Sequence, residues 1–159
     1  MSDASDLYCT FYSAGRLFGV PVTDVREVTA EMNFTQVPHA PVEIRGLANI
    51  RGQIFLALDL AALLDGRSST ARVNSQLVIF KAAVGPAFGI VVDQVGEIVS
   101  VAATQRSAAT SESRLPTTAE ERAALVSHLC RLRDQLLIVL DPRKFLPCAE
   151  HSIRTLLKP

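Results

Sequence analysis

The chain has 159 residues, 48% of them hydrophobic, with 16 Lys and Arg against 16 Asp and Glu and a formal net charge of +0. That length suits one ordinary domain or two small subdomains packed together, and the charge balance offers no basic field for a polyanion, which argues against nucleic acid. The opening MSDASD is acidic where a secretory leader is basic, and the longest apolar runs (54–58, 60–64, 136–140) fall far short of the ~20 residues of a spanning helix, so a cytoplasmic protein is expected.

In chain order, Leu7, Cys9 and Phe11 alternate with Tyr8, Thr10 and Tyr12, Ala14-Gly15 supply turn residues, and Leu17 to Val22 runs apolar. This pattern predicts a β-hairpin. A second hairpin is expected from Ile44–Ile50 and Gln53–Leu58 around Arg51-Gly52. Asp59 then precedes Leu60, Leu63 and Leu64 at helical spacing and is predicted to cap a short helix. Gly66 to Asn74 is a polar connection. The same grammar returns as Gln76–Lys81, a turn at Gly85-Pro86, and Ala87–Val92. The Ala/Ser/Thr-rich stretch from Ala102 to Thr118 reads as a loop, followed by a short helix over Ala119–Leu125. A last hairpin is expected from Ser127–Leu132 and Gln135–Leu140, with Asp141-Pro142 starting another short helix and a further helix in the tail from Glu150.

These elements fall into two copies. Phe18–Val28 (FGVPVTDVREV) reappears as Phe88–Ile98 (FGIVVDQVGEI), an offset of 88 − 18 = 70, and Leu47–Leu64 aligns with Leu129–Leu146 at an offset of 129 − 47 = 82. Arg51/Arg133, Gln53/Gln135, Leu58/Leu140 and Asp59/Asp141 are identical across the second pair. Many short strands, duplicated, with only short helices, predict two small β-barrels side by side. The expected boundaries are 7–66 and 75–147, together one domain over 7–147, with a tail over 148–159.

Catalytic groupings are absent from the sequence. His39, His128 and His151 are scattered, and there is no G-x-S-x-G, H-E-x-x-H, Walker or dinucleotide-binding motif. Neither a catalytic residue nor a metal or cofactor site is expected, and an enzyme would require residues assembled by the fold. Cys9, Cys130 and Cys148 lack metal or redox spacing and read as small buried hydrophobes. A mean hydropathy of +0.25 fits either a dense β core or an apolar surface that meets other proteins. Two polar residues stand out in apolar surroundings, Glu27 and Arg51. Facing each other across strands they would pair and leave the guanidinium fork to read a partner's carboxylate or carbonyl. The alternative is an edge-strand glutamate and a solvated turn arginine.

The runs Phe18-Gly19-Val20-Pro21-Val22, Val25-Arg26-Glu27-Val28, Val37-Pro38-His39-Ala40-Pro41, Ile44 to Ile54 and Leu58-Asp59-Leu60, with Phe88 to Val95 and Leu136 to Phe145, resemble the CheW family of chemotaxis coupling proteins. The resemblance covers about residues 7 to 147 and implies two SH3-like β-barrel subdomains of about five strands each, without enzymatic activity. It implies an adaptor between the cytoplasmic hairpin of a methyl-accepting chemoreceptor and the regulatory domain of a CheA-type histidine kinase, recruited to membrane receptor arrays without membrane insertion. It places receptor binding at Val25, Glu27, Gly46, Asn49 and Arg51, and kinase binding at Gly89, Val91 and Val92. The chain departs from the family at Leu56-Ala57, at Ala61, and at His128 and Cys130, where glycines are common. Such departures also suit a CheW-like scaffold in a non-motility pathway. A small β-barrel enzyme or ligand-binding protein is the third possibility.

Overall fold

The computed structural model describes residues 5–30, 33–66, 74–108 and 124–150. Among these residues twelve strands form two six-stranded sheets. The first half carries β1 (Ser5–Ser13), β2 (Arg16–Pro21), β3 (Val25–Thr29), β4 (Phe34–Thr35), β5 (Ile44–Ile50), β6 (Gln53–Asp59) and helix α1 (Leu60–Asp65). The second carries β7 (Gln76–Phe80), β8 (Phe88–Val92), β9 (Gln94–Ala102), β10 (Arg106–Ala108), β11 (Val126–Arg131) and β12 (Leu136–Leu140), after which a 3₁₀ turn at Pro142–Lys144 leads into helical residues 145–150. The four predicted hairpins are present as β1/β2, β5/β6, β7/β8 and β11/β12. Each sheet has one strand more than the five expected, because a very short edge strand, β4 or β10, is added to it.

The sheet orders are β10-β11-β12-β2-β1-β9 and β4-β5-β6-β8-β7-β3. Copy for copy these are the same sheet, with β1, β2 and β9 to β12 corresponding to β7, β8 and β3 to β6. Even the registers agree. Leu56 lies opposite Phe88 and Ala57 opposite Gly89 in the parallel pair β6/β8, and their repeat equivalents Ile138 and Val139 lie opposite Phe18 and Gly19 in β12/β2. The register also shifts at matching places, between Ile44 and Gly46 and between Val126 and His128.

The two copies have exchanged hairpins. A boundary near residues 66–75 therefore does not separate the sheets, since each sheet takes its central hairpin from one half and its remaining strands from the other. The linkers explain why. Only Asp93 lies between β8 and β9, and only a 3₁₀ turn at Val22–Asp24 between β2 and β3. A single residue cannot reverse a chain into a hairpin, which needs about two. Each strand that follows crosses to the other sheet, where the Asp24 carbonyl accepts a hydrogen bond from Lys81 N (3.0 Å) and Asp93 N donates to the Tyr12 carbonyl (2.9 Å).

Three cores result. The largest is shared by both sheets and the helices, joining Phe11, Phe18, Leu129 and Leu140 to Leu58, Phe80, Phe88, Ile90, Leu63 and Phe145. Its Phe80 and Phe88 rings stack at 5.1 Å between centroids, and Phe80 meets Phe145 at 5.8 Å. Each sheet also curls around a smaller core: Tyr8, Leu17, Val101, Cys130, Leu137 and Val139 in one barrel, Ala48, Ile50, Phe55, Ala57, Leu77, Ile79 and Val91 in the other. Curling brings non-adjacent strands together, so Tyr8 of β1 reaches His128 of β11 (3.0 Å) and Asp6 of β1 pairs with Arg106 of β10.

Both predicted caps are in place. Asp59 accepts from Ala62 N (3.4 Å) and Asp141 from Arg143 N (3.1 Å). All three cysteines are free and buried. The start of the expected 102–118 loop is instead a 3₁₀ turn and strand β10, since its residues complete an edge of the first barrel. The rest of that loop, most of the 119–125 helix, the bulk of the 66–74 connection and the tail beyond residue 150 lie outside the described residues.

Candidate protein-docking site

The β5/β6 hairpin turns on two residues, Arg51 (φ +51°) and Gly52 (φ +85°). Positive φ at both central positions is the arrangement that matches the twist of the flanking strands. Gly52 adopts it at little cost and Arg51 does so against about 1 kcal/mol of Cβ strain. Asn49 steadies the turn, its Oδ1 accepting from Gly52 N at 3.0 Å. Because the barrel curls, this tip lies over edge strand β3, and the Arg51 guanidinium donates to the Glu27 carboxylate. The predicted facing pair is therefore formed. The Arg51 side chain is 69% exposed and that of Glu27 23%. An ion pair this open contributes only ~0–1 kcal/mol to stability.

A neighbour missed in the sequence completes the site. Arg26 has its Nε 3.8 Å from Glu27 Oε1, donates from Nη1 to Gln53 Oε1 at 3.3 Å, and holds its guanidinium carbon 5.6 Å from the centre of the Phe55 ring. The register of β3 against β7 shifts between Val25 and Glu27, so Arg26 is the extra residue of a β-bulge. Bulges re-aim side chains. Two guanidinium groups thus share the Glu27 carboxylate at the mouth of the second barrel. A signal for Arg26 did exist in the repeat, where its counterpart is Gly96.

The other residues expected at the receptor contact surround this pair in different ways. Val25 is half-buried against the shared core. Gly46 is buried at φ +147°, and a Cβ there would lie 2.6 Å from the Thr35 carbonyl oxygen. Only glycine allows β4 to run that close. The kinase-binding candidates share one buried strand. Gly89, Val91 and Val92 lie on β8, whose five residues are all buried, and a Cβ on Gly89 would meet the Val78 carbonyl oxygen at 2.6 Å. Their strand is central in its sheet, packed on both faces, so they can frame a binding surface without touching what binds it.

Elsewhere a polar cleft of about 460 Å³ is lined by Ala30, Asn74, Ser75, Gln76, Asp93 and Gln94. Its polar groups serve the backbone: Asp93 Oδ2 accepts from Ala14 N (3.0 Å) and Gln76 Oε1 from Val95 N (2.7 Å). Among the described residues no group of three His, Cys, Asp or Glu could hold a metal ion, and no helix is long and apolar enough to cross a membrane.

Comparison with known proteins agrees with this geometry. The family model described as "CheW-like domain" matches residues 7–150. The chain is 31% identical over 85 residues to protein PilI of Pseudomonas aeruginosa, covering 54% of this chain and 47% of PilI. It is 29% identical over 84 residues to the chemotaxis protein CheW of Rhizobium meliloti, covering 53% and 54%. A longer match, 26% over 137 residues, joins it to the chemotaxis protein CheW of Klebsiella aerogenes, covering 86% and 78%. In the PilI and Rhizobium matches the chain spans about half the length of its relatives. Among solved structures the scaffolding protein TtCheW from Thermoanaerobacter tengcongensis superimposes with a TM-score of 0.70 at 24% identity, covering 86% of this chain and 89% of that one. By the extent of the family match and the shared two-sheet fold, the chain belongs to the family of CheW-like domains.

Proposed function

We propose that this protein is a non-enzymatic adaptor that couples the cytoplasmic hairpin of a methyl-accepting chemoreceptor to the regulatory domain of a CheA-type histidine kinase. It would work in the cytoplasm, at receptor arrays. The observation that carries the reading is the Glu27–Arg51 pair at an exposed hairpin tip, within a chain of the CheW-like family. An open pair adds little stability, and arginine is enriched at interface hot spots. The receptor contact is assigned to Glu27 and Arg51 on a frame made by Val25, Gly46 and Asn49. The kinase contact is assigned to an outer barrel surface that Gly89, Val91 and Val92 hold in shape. Signal passes only if both contacts differ in free energy between the receptor's on and off states.

The test is a pull-down with the receptor hairpin. Arg51→Ala is expected to lose capture of the hairpin while keeping the wild-type melting temperature; a folded variant that captures it as well as wild type refutes the assignment. A second reading, a CheW-like scaffold in a non-motility pathway with other signalling partners, fits the departures of this chain from the family pattern at Leu56-Ala57, Ala61, His128 and Cys130. Co-purification from cells separates the two by whether a receptor and a CheA-type kinase are recovered or other signalling proteins are.

A further inference from the structure

We propose that Arg143 is a positioning residue for the receptor contact: by forking the Asp24 carboxylate it fixes the entry of β3, the edge strand that carries Glu27. The proposal rests on the receptor reading above and adds how that contact is held in place. Asp24 ends the 3₁₀ turn on which the chain leaves β2 of one sheet for β3 of the other, and its side chain is 10% exposed. Arg143 Nη1 donates to Asp24 Oδ2 at 3.0 Å and Nη2 to Oδ1 at 3.3 Å, a bidentate pair between residues 119 apart in sequence. Among the described residues no other group bonds that carboxylate. A mostly buried carboxylate is costly to leave unpaired, and a planar fork fixes direction as well as charge. The base of the fork is pinned in turn, because Asp141 Oδ1 accepts from Arg143 N at 3.1 Å. On its other side the Asp24 carbonyl accepts from Lys81 N, just past β7. The strand that follows has one neighbour, β7, and the bulge interrupts that pairing between Val25 and Glu27. The aim of Glu27 therefore depends on how the entry of β3 is held, and the turn after β12 of the other barrel holds it.

The duplication provides an internal control. At the matching crossing, from β8 to β9, the repeat equivalents of Asp24 and Arg143 are Gln94 and Ala61, which cannot form an ion pair. That crossing is tied to backbone instead, Gln76 Oε1 accepting from Val95 N at 2.7 Å and Asp93 Oδ2 from Ala14 N at 3.0 Å. The fork therefore belongs to the one crossing that leads to Glu27.

The experiment measures amide hydrogen exchange of the full chain together with its binding to a purified cytoplasmic hairpin fragment of a chemoreceptor from the same genome. Arg143→Ala is expected to speed exchange in β3 about tenfold while β9 exchanges as in wild type. Hairpin binding should weaken about three- to tenfold, as the fraction of chains with Glu27 in place falls. Arg143→Lys, which keeps the charge without the fork, is expected to lie between. Adding Asp24→Asn to Arg143→Ala removes the unpaired carboxylate, so the melting temperature should recover in part while exchange in β3 stays fast and binding stays weak; recovery of all three together would mean a structural pair only and overturn the proposal. Unchanged exchange in β3, an equal rise in β3 and β9, or wild-type binding by Arg143→Ala while Arg51→Ala is impaired would each overturn it too and leave the receptor reading standing. If wild-type protein does not bind the hairpin, the receptor reading falls, and with it the role given to Arg143.

Discussion

Replacing Gly46 by alanine separates architecture from recognition at the candidate site. The residue sits at φ +147°, where side chains are rarely tolerated, and its new Cβ would lie 2.6 Å from the Thr35 carbonyl oxygen and 3.1 Å from Phe34 Cβ. The first term costs ~1–3 kcal/mol and the second, a clash with backbone that cannot rotate aside, a similar ~1–3 kcal/mol. About 4 kcal/mol in total is expected, which lowers the melting midpoint of a chain this size by roughly 8–16 °C. Gly52→Ala is the matched control. It also has positive φ, +85°, but no atom within 4 Å of the added Cβ, so it should cost only ~1 kcal/mol. Urea titration of both variants measures the difference. Since Gly46 is buried, the folded fraction of Gly46→Ala should bind the receptor hairpin as wild type does. Equal stability of the two variants would refute the close approach of β4 to β5.

Four further outcomes are expected. Phe88→Ala, in the shared core and stacked on Phe80, should cost about 3–5 kcal/mol by denaturation, more than an exposed substitution such as Arg51→Ala. Asp59→Ala removes a buried cap and the part-buried 3.3 Å ion pair with Arg45, and should cost about 2–4 kcal/mol, whereas Asp141→Ala removes a more open cap and should cost ~1 kcal/mol. His128, between Tyr8 and Ser127, has its pKa lowered by burial and then by the Arg106 charge. The unfolded chain then binds the proton more readily, so His128 contributes stability that is present above its unfolded value, about 6.5, and lost as pH falls through the lower folded value. Melting midpoints from pH 7.5 down should drop less in His128→Gln than in wild type. Finally, fragments 1–70 and 71–159 should each stay unfolded alone by circular dichroism and regain β structure when mixed, because every sheet needs strands from both.

The hairpins, the two helix caps and the Glu27–Arg51 pair were legible in the sequence because each depends on local chemistry: turn residues, an aspartate before an apolar run, two polar residues in apolar strands. The duplication was legible too, but the exchange of hairpins between copies was not. A repeat tells which segments are alike, while the short links at 22–24 and at Asp93 decide which sheet each strand joins. The burial of the motif glycines and valines is set by packing between strands distant in sequence. Gly46, Gly89, Val91 and Val92 are all buried, and Gly46 and Gly89 each lie against a backbone carbonyl that a Cβ would strike. Arg26 was hidden inside a quoted motif, since only the bulge reveals that its side chain joins Glu27 rather than alternating away from it.

Reconstitution tests the adaptor account most directly. Purified chain, receptor hairpin and kinase regulatory domain are mixed and the species resolved by sedimentation velocity. The account predicts one complex containing all three, absent when the chain is omitted, from which Arg51→Ala releases the hairpin while the kinase domain stays bound. Failure of the chain to join the two partners, or retention of the hairpin by the folded Arg51→Ala variant, would contradict it.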